Sequence, residues 1–369
     1  MTVVFFILFI LLSIYALTLI WLASGFIRTP LFQTETDNVL PITIIICARN
    51  EEKKIGRCLK TIVQQEYDIS KIQIIVINDA STDSTAFQAE AVLKNSNVTY
   101  KIITNPQQKG KKQSITYAMQ FAANELIILR DADTFTYSFT WLQSIAEFYK
   151  KNSPDLIIGP VAIADNSGPL WALQAIENNV LSVMNCGSAF YKKPFLANGA
   201  NLIFTKTIFQ KVKGYQNHIQ IPSGDDVLFL EDVKKIPGSS IQYLKSIESI
   251  VYTYPCLSFK SLIKQKVRWA GKFKVNHNKF NNLMAVLILL INLGWLLSLV
   301  YGFLVPQNGK LSLFFVVLKL LIDFLLLFLA SRFLKNKGLF WYALPVGCIY
   351  PVYACTVAIA TFFTKPNWK

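Results

Sequence analysis

The 369-residue sequence contains little that would bind a transition metal or build a disulfide framework. It has six cysteines, and no two of them form a C-x-x-C pair; they are Cys47, Cys58, Cys186, Cys256, Cys348 and Cys355. It has only two histidines, His218 and His277. The spacing therefore predicts neither a zinc site nor a set of disulfides, and any metal site is expected to consist of carboxylates.

Charged residues are also scarce, at 16% of the chain, whereas 53% of the residues are hydrophobic. An average soluble domain carries roughly 25% charged residues, so this composition disfavours an ordinary soluble enzyme and excludes a disordered chain. The charge is one-sided, because 37 Lys and Arg residues outnumber 22 Asp and Glu residues, which gives a net charge of +15. Such a balance is typical of nucleic-acid binders and of membrane proteins with basic cytoplasmic flanks.

Long apolar segments decide between these two classes. Four of them have about the length that spans a bilayer, roughly 20 residues, and they cover residues 2–27, 283–305, 311–330 and 339–363. The first segment has neither the basic start nor the short apolar core of a cleaved signal peptide. It is therefore predicted to be a retained membrane anchor.

The basic residues beside these segments predict the topology. Two flanking connectors are rich in basic residues, namely Lys272, Lys274 and Lys279 in one and Arg332, Lys335 and Lys337 in the other. The connector at 306–310 has only Lys310. By the positive-inside rule the two basic connectors are cytoplasmic, which places both termini outside and residues 28–282 inside.

Residues 28–255 alternate between strand-like and helix-like patterns. Apolar, β-branched runs predict strands over 42–47, 72–77, 98–103 and 125–129, and helical spacing predicts helices over 51–64, 85–94 and 114–123. The alternation indicates an α/β fold with a mostly parallel sheet and helices on both faces. Ligands of such sheets bind at the carboxyl ends of the strands.

Acidic side chains follow three of the predicted strands. The first strand leads into Glu51-Glu52, the second into Asp79 and Asp83, and the fourth into Asp131-Ala132-Asp133. Any one of these groups alone is most often a helix N-cap. Together they would repel one another, which indicates a cation or hydrogen-bond donors that offset their charge. Carboxylates spaced i, i+2 can share a hard divalent ion with the phosphates of a ligand.

Three further motifs lie downstream. Lys109-Gly110-Lys111-Lys112 precedes a predicted helix and is either a solvated basic turn or a source of positive charge for a diphosphate. Ser223-Gly224-Asp225-Asp226 is either a helix cap or a carboxylate pair in which one member is a general base. Gln265-x-x-Arg268-Trp269 lies in a basic, aromatic stretch, and such stretches usually lie flat at a membrane interface. That interpretation leaves the Gln before the Arg-Trp pair unexplained.

The order of these motifs resembles a membrane-bound family 2 glycosyltransferase, the family of cellulose, chitin and hyaluronan synthases and of ceramide glucosyltransferases. The matching motifs are Asp79, Asp131-x-Asp133, Asp225-Asp226 and Gln265-x-x-Arg268-Trp269, and Asn198-Gly199-Ala200-Asn201 resembles the family's Gly-x-Asn turn. The resemblance covers about 42–282. It implies a GT-A fold, a nucleotide-diphosphate sugar donor, usually a UDP-sugar, and inversion at the anomeric carbon.

The resemblance also implies a role for each site residue. Four residues are expected from the resemblance to bind the donor, namely Glu51, Asp79, Asp83 and Asp131, and Lys111 of the basic run is expected to bind the donor with them. Asp133 is expected to hold a divalent metal cofactor, Mg²⁺ or Mn²⁺, on the diphosphate. Asp226 is expected to be the catalytic base, with Asp225 beside it. Four residues are expected to line the acceptor end and support the diphosphate, namely Asn201, Gln265, Arg268 and Trp269.

These inferences predict four domains. Residues 1–27 are an N-terminal transmembrane anchor, 28–255 a GT-A glycosyltransferase domain, 256–282 an amphipathic interfacial segment and 283–369 three transmembrane helices. The predicted protein is a multi-pass membrane enzyme of the cell envelope, in the bacterial inner membrane, with its catalytic domain in the cytoplasm.

The predicted partners are a nucleotide-sugar donor, a lipid, lipid-linked or glycan acceptor, and the membrane. An oligomer or a partner subunit is compatible with the sequence. No nucleic-acid partner is predicted, because the basic residues lie beside apolar spans and around 109–112, without a known binding module.

Other functions remain open at this point. Transfer of a single sugar to a lipid or lipid-linked acceptor is favoured over processive polysaccharide synthesis, because only one apolar segment precedes the catalytic domain. The alternative from another class is a catalytically inactive, membrane-bound nucleotide-sugar-binding protein, although Asp133 and Asp226 are both present. Lys319 and Asp323 share a helix face in the third segment, either as an internal ion pair or as the polar lining of an acceptor path.

Overall fold

The computed structural model describes residues 2–35, 39–221, 224–271, 279–336 and 338–363. By their contacts they form two compact units. The helical unit comprises Met1–Arg28, Asp165–Ser188 and Pro255–Lys369, and the α/β unit comprises Thr29–Ala164 and Ala189–Tyr254. Several residues named above lie outside the described residues, namely Ser223, Lys272, Lys274, His277 and Lys337.

The α/β unit alternates strands and helices over its first half. The elements in chain order are β1 (Ile42–Ala48), α2 (Ile55–Val63), β2 (Ile72–Asn78), α3 (Thr85–Leu93), β3 (Thr99–Thr104), α4 (Lys111–Ala118), β4 (Leu126–Asp131), β5 (Thr134–Phe135), α5 (Trp141–Asn152), β6 (Leu156–Ile158) and β7 (Val161–Ile163). After the excursion into the helical unit come β8 (Leu202–Thr205), α7 (Lys206–Lys211), α8 (Asp225–Lys234), β9 (Ile241–Tyr243) and β10 (Val251–Thr253). Two short 3₁₀ turns, Ile69–Lys71 and Gln216–His218, complete it.

Seven of these strands form the main sheet, in the order β3-β2-β1-β4-β8-β6-β9. The pairs β3–β2, β2–β1, β1–β4 and β6–β9 are parallel, whereas β8 is antiparallel to both of its neighbours. A second sheet has the order β5-β10-β7. The mostly parallel α/β sheet that the sequence predicts is therefore confirmed.

The central strands are apolar on both faces because helices cover both sides of the sheet. Ile42, Ile44 and Ile46 of β1 join one core cluster with Ile55 and Leu59 of α2, while Ile45 is buried as well. Near-continuous β-branched runs are characteristic of such doubly covered parallel strands. This burial is why the sequence predicts these strands to within two residues of their observed ends.

Six α-helices lie in the described part of the helical unit. They are α1 (Thr2–Arg28), α6 (Pro169–Phe190), α9 (Phe259–Ala270), α10 (Lys279–Leu304), α11 (Gly309–Phe333) and α12 (Leu339–Phe363), with a 3₁₀ turn at Pro306–Asn308. Among the described residues, α1, α10, α11 and α12 are long and apolar enough to cross a membrane. Helix α6 lies inside the predicted domain 28–255 but groups with the helical unit by its contacts.

A polar cluster lies among the long helices. The Lys319 ammonium is 2.7 Å from the Asp323 carboxylate on α11, and the Tyr15 hydroxyl of α1 donates to the same carboxylate at 2.7 Å. Lys319 is only 1% exposed. An ion pair that also receives a hydrogen bond offsets the cost of burying charge among apolar helices, and it ties α1 to α11.

A close backbone approach fixes α6 against α1. An ideal Cβ at Gly187 would lie 1.9 Å from the Leu22 carbonyl oxygen, whereas one at Gly56 of α2 would meet nothing within 4 Å.

Gly187→Ala is expected to lower the free energy of unfolding by about 1–3 kcal/mol, as overpacking does. The matched control Gly56→Ala is expected to raise it by about 0.5–1 kcal/mol, because alanine favours helix. Thermal unfolding in nanodiscs measures both, and equal shifts would contradict this packing.

Candidate active site

Three strand ends lie side by side at one edge of the main sheet. In the parallel register Ala48 pairs with Asn78, and Cys47 pairs with Asp131. The segments that begin at Asn50, Asp79 and Ala132 therefore leave the sheet at the same edge. Asn50 and Ala80 adopt left-handed φ angles of 54° and 53° as the chain turns there. Left-handed backbone at non-glycine residues is costly and is often found at functional sites.

Asp79 organises the start of α4. Its carboxylate is 4% exposed and accepts hydrogen bonds from the Asn105 amide and from the backbone N–H groups of Lys109 and Gly110, each at 2.8 Å. Gly110 has a φ of 84°, which glycine adopts without strain. These contacts hold the segment 109–110 at the edge of the sheet.

Asp83 and Glu51 join the turns after β1 and β2. The Asp83 carboxylate accepts hydrogen bonds from the Glu52 N–H at 3.2 Å and from the Thr85 N–H at 3.0 Å. The Thr85 hydroxyl in turn accepts from the Glu51 N–H at 2.8 Å. These bonds fix the two turns relative to each other, and the Glu51 carboxylate lies 3.7 Å from the Lys54 ammonium.

Lys111 connects the middle of the site. Its ammonium is 2.7 Å from Asp131 and 2.7 Å from Asp225, two carboxylates that are far apart in sequence. Burial disfavours the charged ammonium, but the two carboxylates outweigh burial and hold the pKa of Lys111 well above its ordinary value. Burial raises the pKa of Asp131; Lys111 opposes this rise, and repulsion from Asp133 and Asp225 adds to it.

The turn Asn198–Asn201 packs directly on this ion pair. A Cβ at Gly199 would lie 2.8 Å from the Lys111 ammonium and 2.9 Å from the Asp225 carboxylate, so a larger residue there would displace the ion pair. Asn201 is fully buried, and its amide donates to the carbonyls of Pro160 and Ser249 at 3.0 and 2.9 Å. Asn201 is therefore placed to support the turn from behind.

Asp225 and Asp226 occupy the first turn of α8, where carboxylates are stabilised by the helix dipole. Gly224 caps this helix with a φ of 82°. Asp225 is 7% exposed and pairs with Lys111. Asp226 is only half-buried, and its Oδ1 accepts from the Val227 N–H at 2.8 Å. The two neighbours thus have different environments.

Asp133 lies at the open side of the site. Its side chain is 34% exposed, and its carboxylate is 3.6 Å from the Lys54 ammonium. Within the described residues, no three His, Cys, Asp or Glu side chains form a cage for a metal. The donor set still fits Mg²⁺ or Mn²⁺ held together with a phosphate ligand, because one or two protein carboxylates plus phosphate oxygens and waters are the usual arrangement.

Gln265, Arg268 and Trp269 lie on α9 of the helical unit. A Ser258–Ser261 capping box begins this helix. Trp269 is 37% exposed, and its ring lies 4.4 Å from the Lys266 ammonium. The structure thus brings Lys111, Asp131 and Asp225 together inside the α/β unit, while the part that the α9 residues play stays a prediction.

Sequence reasoning missed several residues that shape the site. Lys54 contacts both Glu51 and Asp133, and its position three residues after Glu51 was the available signal. Lys112 is buried, and its ammonium donates to the carbonyls of His218 and Ile221 at 3.0 Å. Nothing in the Lys109–Lys112 run distinguishes Lys112 from Lys111, since their partners come from distant parts of the chain.

Comparison with known proteins finds a matching family profile and related sequences. Residues 43–218 match the profile of Glycosyl transferase family 2. The chain is 24% identical over 217 residues to an uncharacterized glycosyltransferase of Haemophilus influenzae, which covers 54% of this chain and 62% of that protein. It is 27% identical over 187 residues to a Poly-beta-1,6-N-acetyl-D-glucosamine synthase of Staphylococcus epidermidis, which covers 50% of this chain and 43% of that protein. The chain thus matches less than two thirds of the length of these relatives.

A solved structure shares the fold. A mannosyltransferase from Pyrobaculum calidifontis, in complex with GDP-Man and Mn²⁺, superposes with a TM-score of 0.58. The match covers 97% of this chain and 99% of that chain at 13% identity. The GT-A fold that the motif order implies is confirmed by this similarity.

Removal of Lys111 tests the central ion pair. Lys111→Met is expected to lower the free energy of unfolding by about 3 kcal/mol, because it removes the counterion of the buried Asp225 carboxylate. Adding Asp225→Asn is expected to restore part of that loss. The control Lys235→Met breaks a pair whose lysine side chain is 69% exposed and is expected to cost under about 1 kcal/mol. Chemical denaturation measures these variants together with the single Asp225→Asn variant, and a loss in the double variant equal to the sum of the two single losses would contradict the coupling.

Proposed function

We propose that this protein, a glycosyltransferase with a family 2 domain, transfers a sugar from a nucleotide-diphosphate donor to a lipid or lipid-linked acceptor at a membrane. The observation that carries the proposal is the Lys111 ammonium, which joins the Asp131-Ala132-Asp133 turn to the Asp225-Asp226 start of α8. This contact supports a donor-diphosphate site at Asp131 and Lys111, with a candidate base beside it at the start of α8.

The donor is proposed to bind along the carboxyl ends of β1, β2 and β4. Asp79, Glu51 and Asp83 belong to the nucleoside side, where they hold the turns that would surround the base and ribose. Asp131 and Lys111 belong to the diphosphate side. Asp133 would hold a divalent ion, which when bound neutralises part of the diphosphate charge.

The reaction requires one bond to form and one to break at the anomeric carbon. The acceptor hydroxyl attacks that carbon and gives its proton to a carboxylate, while the sugar–phosphate bond breaks and its electron pair goes to the diphosphate. Attack opposite the leaving group inverts the configuration. Cations near the departing diphosphate, here Lys111 and Lys54, stabilise the charge that develops on it.

Asp226 is the better of the two candidates for the base. Asp225 is buried, and its carboxylate is already paired with the Lys111 ammonium at 2.7 Å, so it is less accessible to an acceptor hydroxyl. Asp226 is more exposed and lies one residue away at the same helix start. We therefore assign proton transfer to Asp226 and the positioning of Lys111 to Asp225.

The remaining residues are proposed to serve the acceptor. Asn201 supports the Gly199 turn beside the ion pair. Gln265, Arg268 and Trp269 would line the acceptor end and support the diphosphate, with the Trp269 ring offered to a sugar. The four long apolar helices support a membrane location, and we propose that the α/β unit faces the cytoplasm of a bacterial inner membrane.

Processive synthesis is the second candidate. It is favoured by the similarity to Poly-beta-1,6-N-acetyl-D-glucosamine synthases. The match to one of them covers 50% of the present chain. One assay separates the two functions. Protein in nanodiscs is given UDP- or GDP-sugars, Mg²⁺ or Mn²⁺ and native lipid extract, and nucleotide release is measured. The mass of the product then shows whether one sugar or a polymer was added.

Asp226→Asn tests the base. Transfer is expected to fall by roughly 10²–10⁴-fold, because proton abstraction is lost, while nucleotide binding stays unchanged since the variant keeps the size of the side chain. Asp68→Asn, at an exposed turn, is the control and is expected to keep full activity. Parallel loss of binding and transfer in Asp226→Asn would indicate a structural role for the residue.

Asp133→Ala tests the metal. The variant is expected to weaken nucleotide binding in the presence of Mn²⁺ and to leave the weaker metal-free binding unaltered, because the carboxylate acts through the ion. Titration calorimetry with UDP and GDP, with Mn²⁺ or with EDTA, measures both quantities. A variant whose binding still responds to Mn²⁺ as the wild type does would rule out Asp133 as the ligand.

A further inference from the structure

Helix α6 holds α9 at two points. The Gln174 side chain is buried and pairs with the backbone of Cys256, accepting from its N–H at 2.7 Å and donating to its carbonyl at 3.1 Å. One helical turn further along α6, the Glu177 carboxylate forms an ion pair with Lys266 in the middle of α9. Residues three apart share a helix face, so a single face of α6 fixes both the approach to α9 and its centre.

Lys266 links this face to the Gln265–Trp269 motif. The residue is 9% exposed, and its ammonium lies 4.4 Å from the centre of the Trp269 ring. A cation over an indole face is attracted to the ring, more strongly when it is desolvated. Glu177, Lys266 and Trp269 thus form one chain of contacts from α6 to the surface of α9.

A third helix completes the environment of Glu177. The Tyr353 hydroxyl of α12 donates to Glu177 at 3.4 Å, and Tyr353 is itself buried. A buried lysine requires a counterion, and a fixed carboxylate between two helices leaves it little freedom of position. The orientation of the indole therefore depends on a carboxylate that lies on another helix.

We propose that Glu177 is a positioning residue for the acceptor end of the site: it fixes Lys266, and Lys266 fixes the Trp269 ring. The inference rests on the proposed function, in which Trp269 contacts the acceptor. A Glu177–Lys266 ion pair that only stabilises the fold would have the same geometry as one that positions Trp269. Experiments must therefore separate the structural role from the positioning role.

The first variant is Glu177→Gln. The apparent KM for native lipid extract is expected to rise by on the order of tenfold or more, because small displacements of positioning groups are costly. The KM for the sugar nucleotide and the binding of UDP or GDP are expected to stay unchanged. The matched control is Glu90→Gln, which alters an exposed carboxylate that accepts from Tyr100 and is expected to change neither value.

The charge-swapped double variant, Glu177→Lys with Lys266→Glu, discriminates between the two roles. It restores an ion pair between α6 and α9 but places a carboxylate, not a cation, beside Trp269. We expect thermal stability to recover relative to either single variant while the acceptor KM stays raised. Recovery of both quantities, or an unchanged acceptor KM in Glu177→Gln, would overturn the proposal.

A spectroscopic readout makes the test independent of turnover. The chain has seven tryptophans, so Trp269→Phe would assign the Trp269 resonance in 5-fluorotryptophan-labelled protein. The ¹⁹F shift is expected to move in Glu177→Gln and to stay fixed in Glu90→Gln. If no combination of donor and acceptor gives turnover, the proposed function fails. The ¹⁹F resonance alone then tests whether Glu177 fixes the orientation of the Trp269 ring. A resonance that does not move in Glu177→Gln would overturn the proposal.

Discussion

One buried ammonium determines how the α/β unit can carry its negative charge. Asp131, Asp133, Asp225 and Asp226 come from two distant parts of the chain, and their repulsion would oppose the packing of β4 against the start of α8. Lys111 removes this conflict by pairing with one carboxylate from each side. The other arrangements follow from it: Asp79 sets the turn that leads into Lys111, and Gly199 leaves room for the pair.

Local pattern was enough to predict β1 to β4 and the four long apolar helices. β1 and β2 are apolar on both faces because helices bury both faces of the sheet. Burial on both faces requires a continuous apolar run, which is visible in the sequence. The start of α4 was harder to predict from the sequence. The helix begins at Lys111, three residues before the predicted start at residue 114. Asp79 accepts the N–H groups just before this helix, and such a long-range contact leaves no periodicity in the sequence. No helix was predicted over α6, whose partners are equally distant.

The site was predictable as far as it depends on strand ends. Side chains after β1, β2 and β4 were expected to converge because parallel strands end at one edge, and the register of the sheet explains why they do. Pairing between side chains was not predictable. Lys111 and Lys112 are adjacent and chemically alike, yet one meets two carboxylates and the other two backbone carbonyls. The choice depends on α8 and on the 218–221 segment, which only the folded chain brings near.

The place of α6 in the chain has a consequence for how the protein is made. Synthesis delivers the first half of the α/β unit, then α6, then the second half, and only afterwards α9 and α12, against which α6 pairs. Until those last helices emerge, Gln174 and Glu177 of α6 lack the partners that they have in the folded protein, and surface that is transiently exposed in this way favours aggregation. A fragment cut to residues 29–254 would contain α6 without α1, α9 and α12, its partners in the helical unit. Such a fragment is therefore an unsuitable unit for expression on its own.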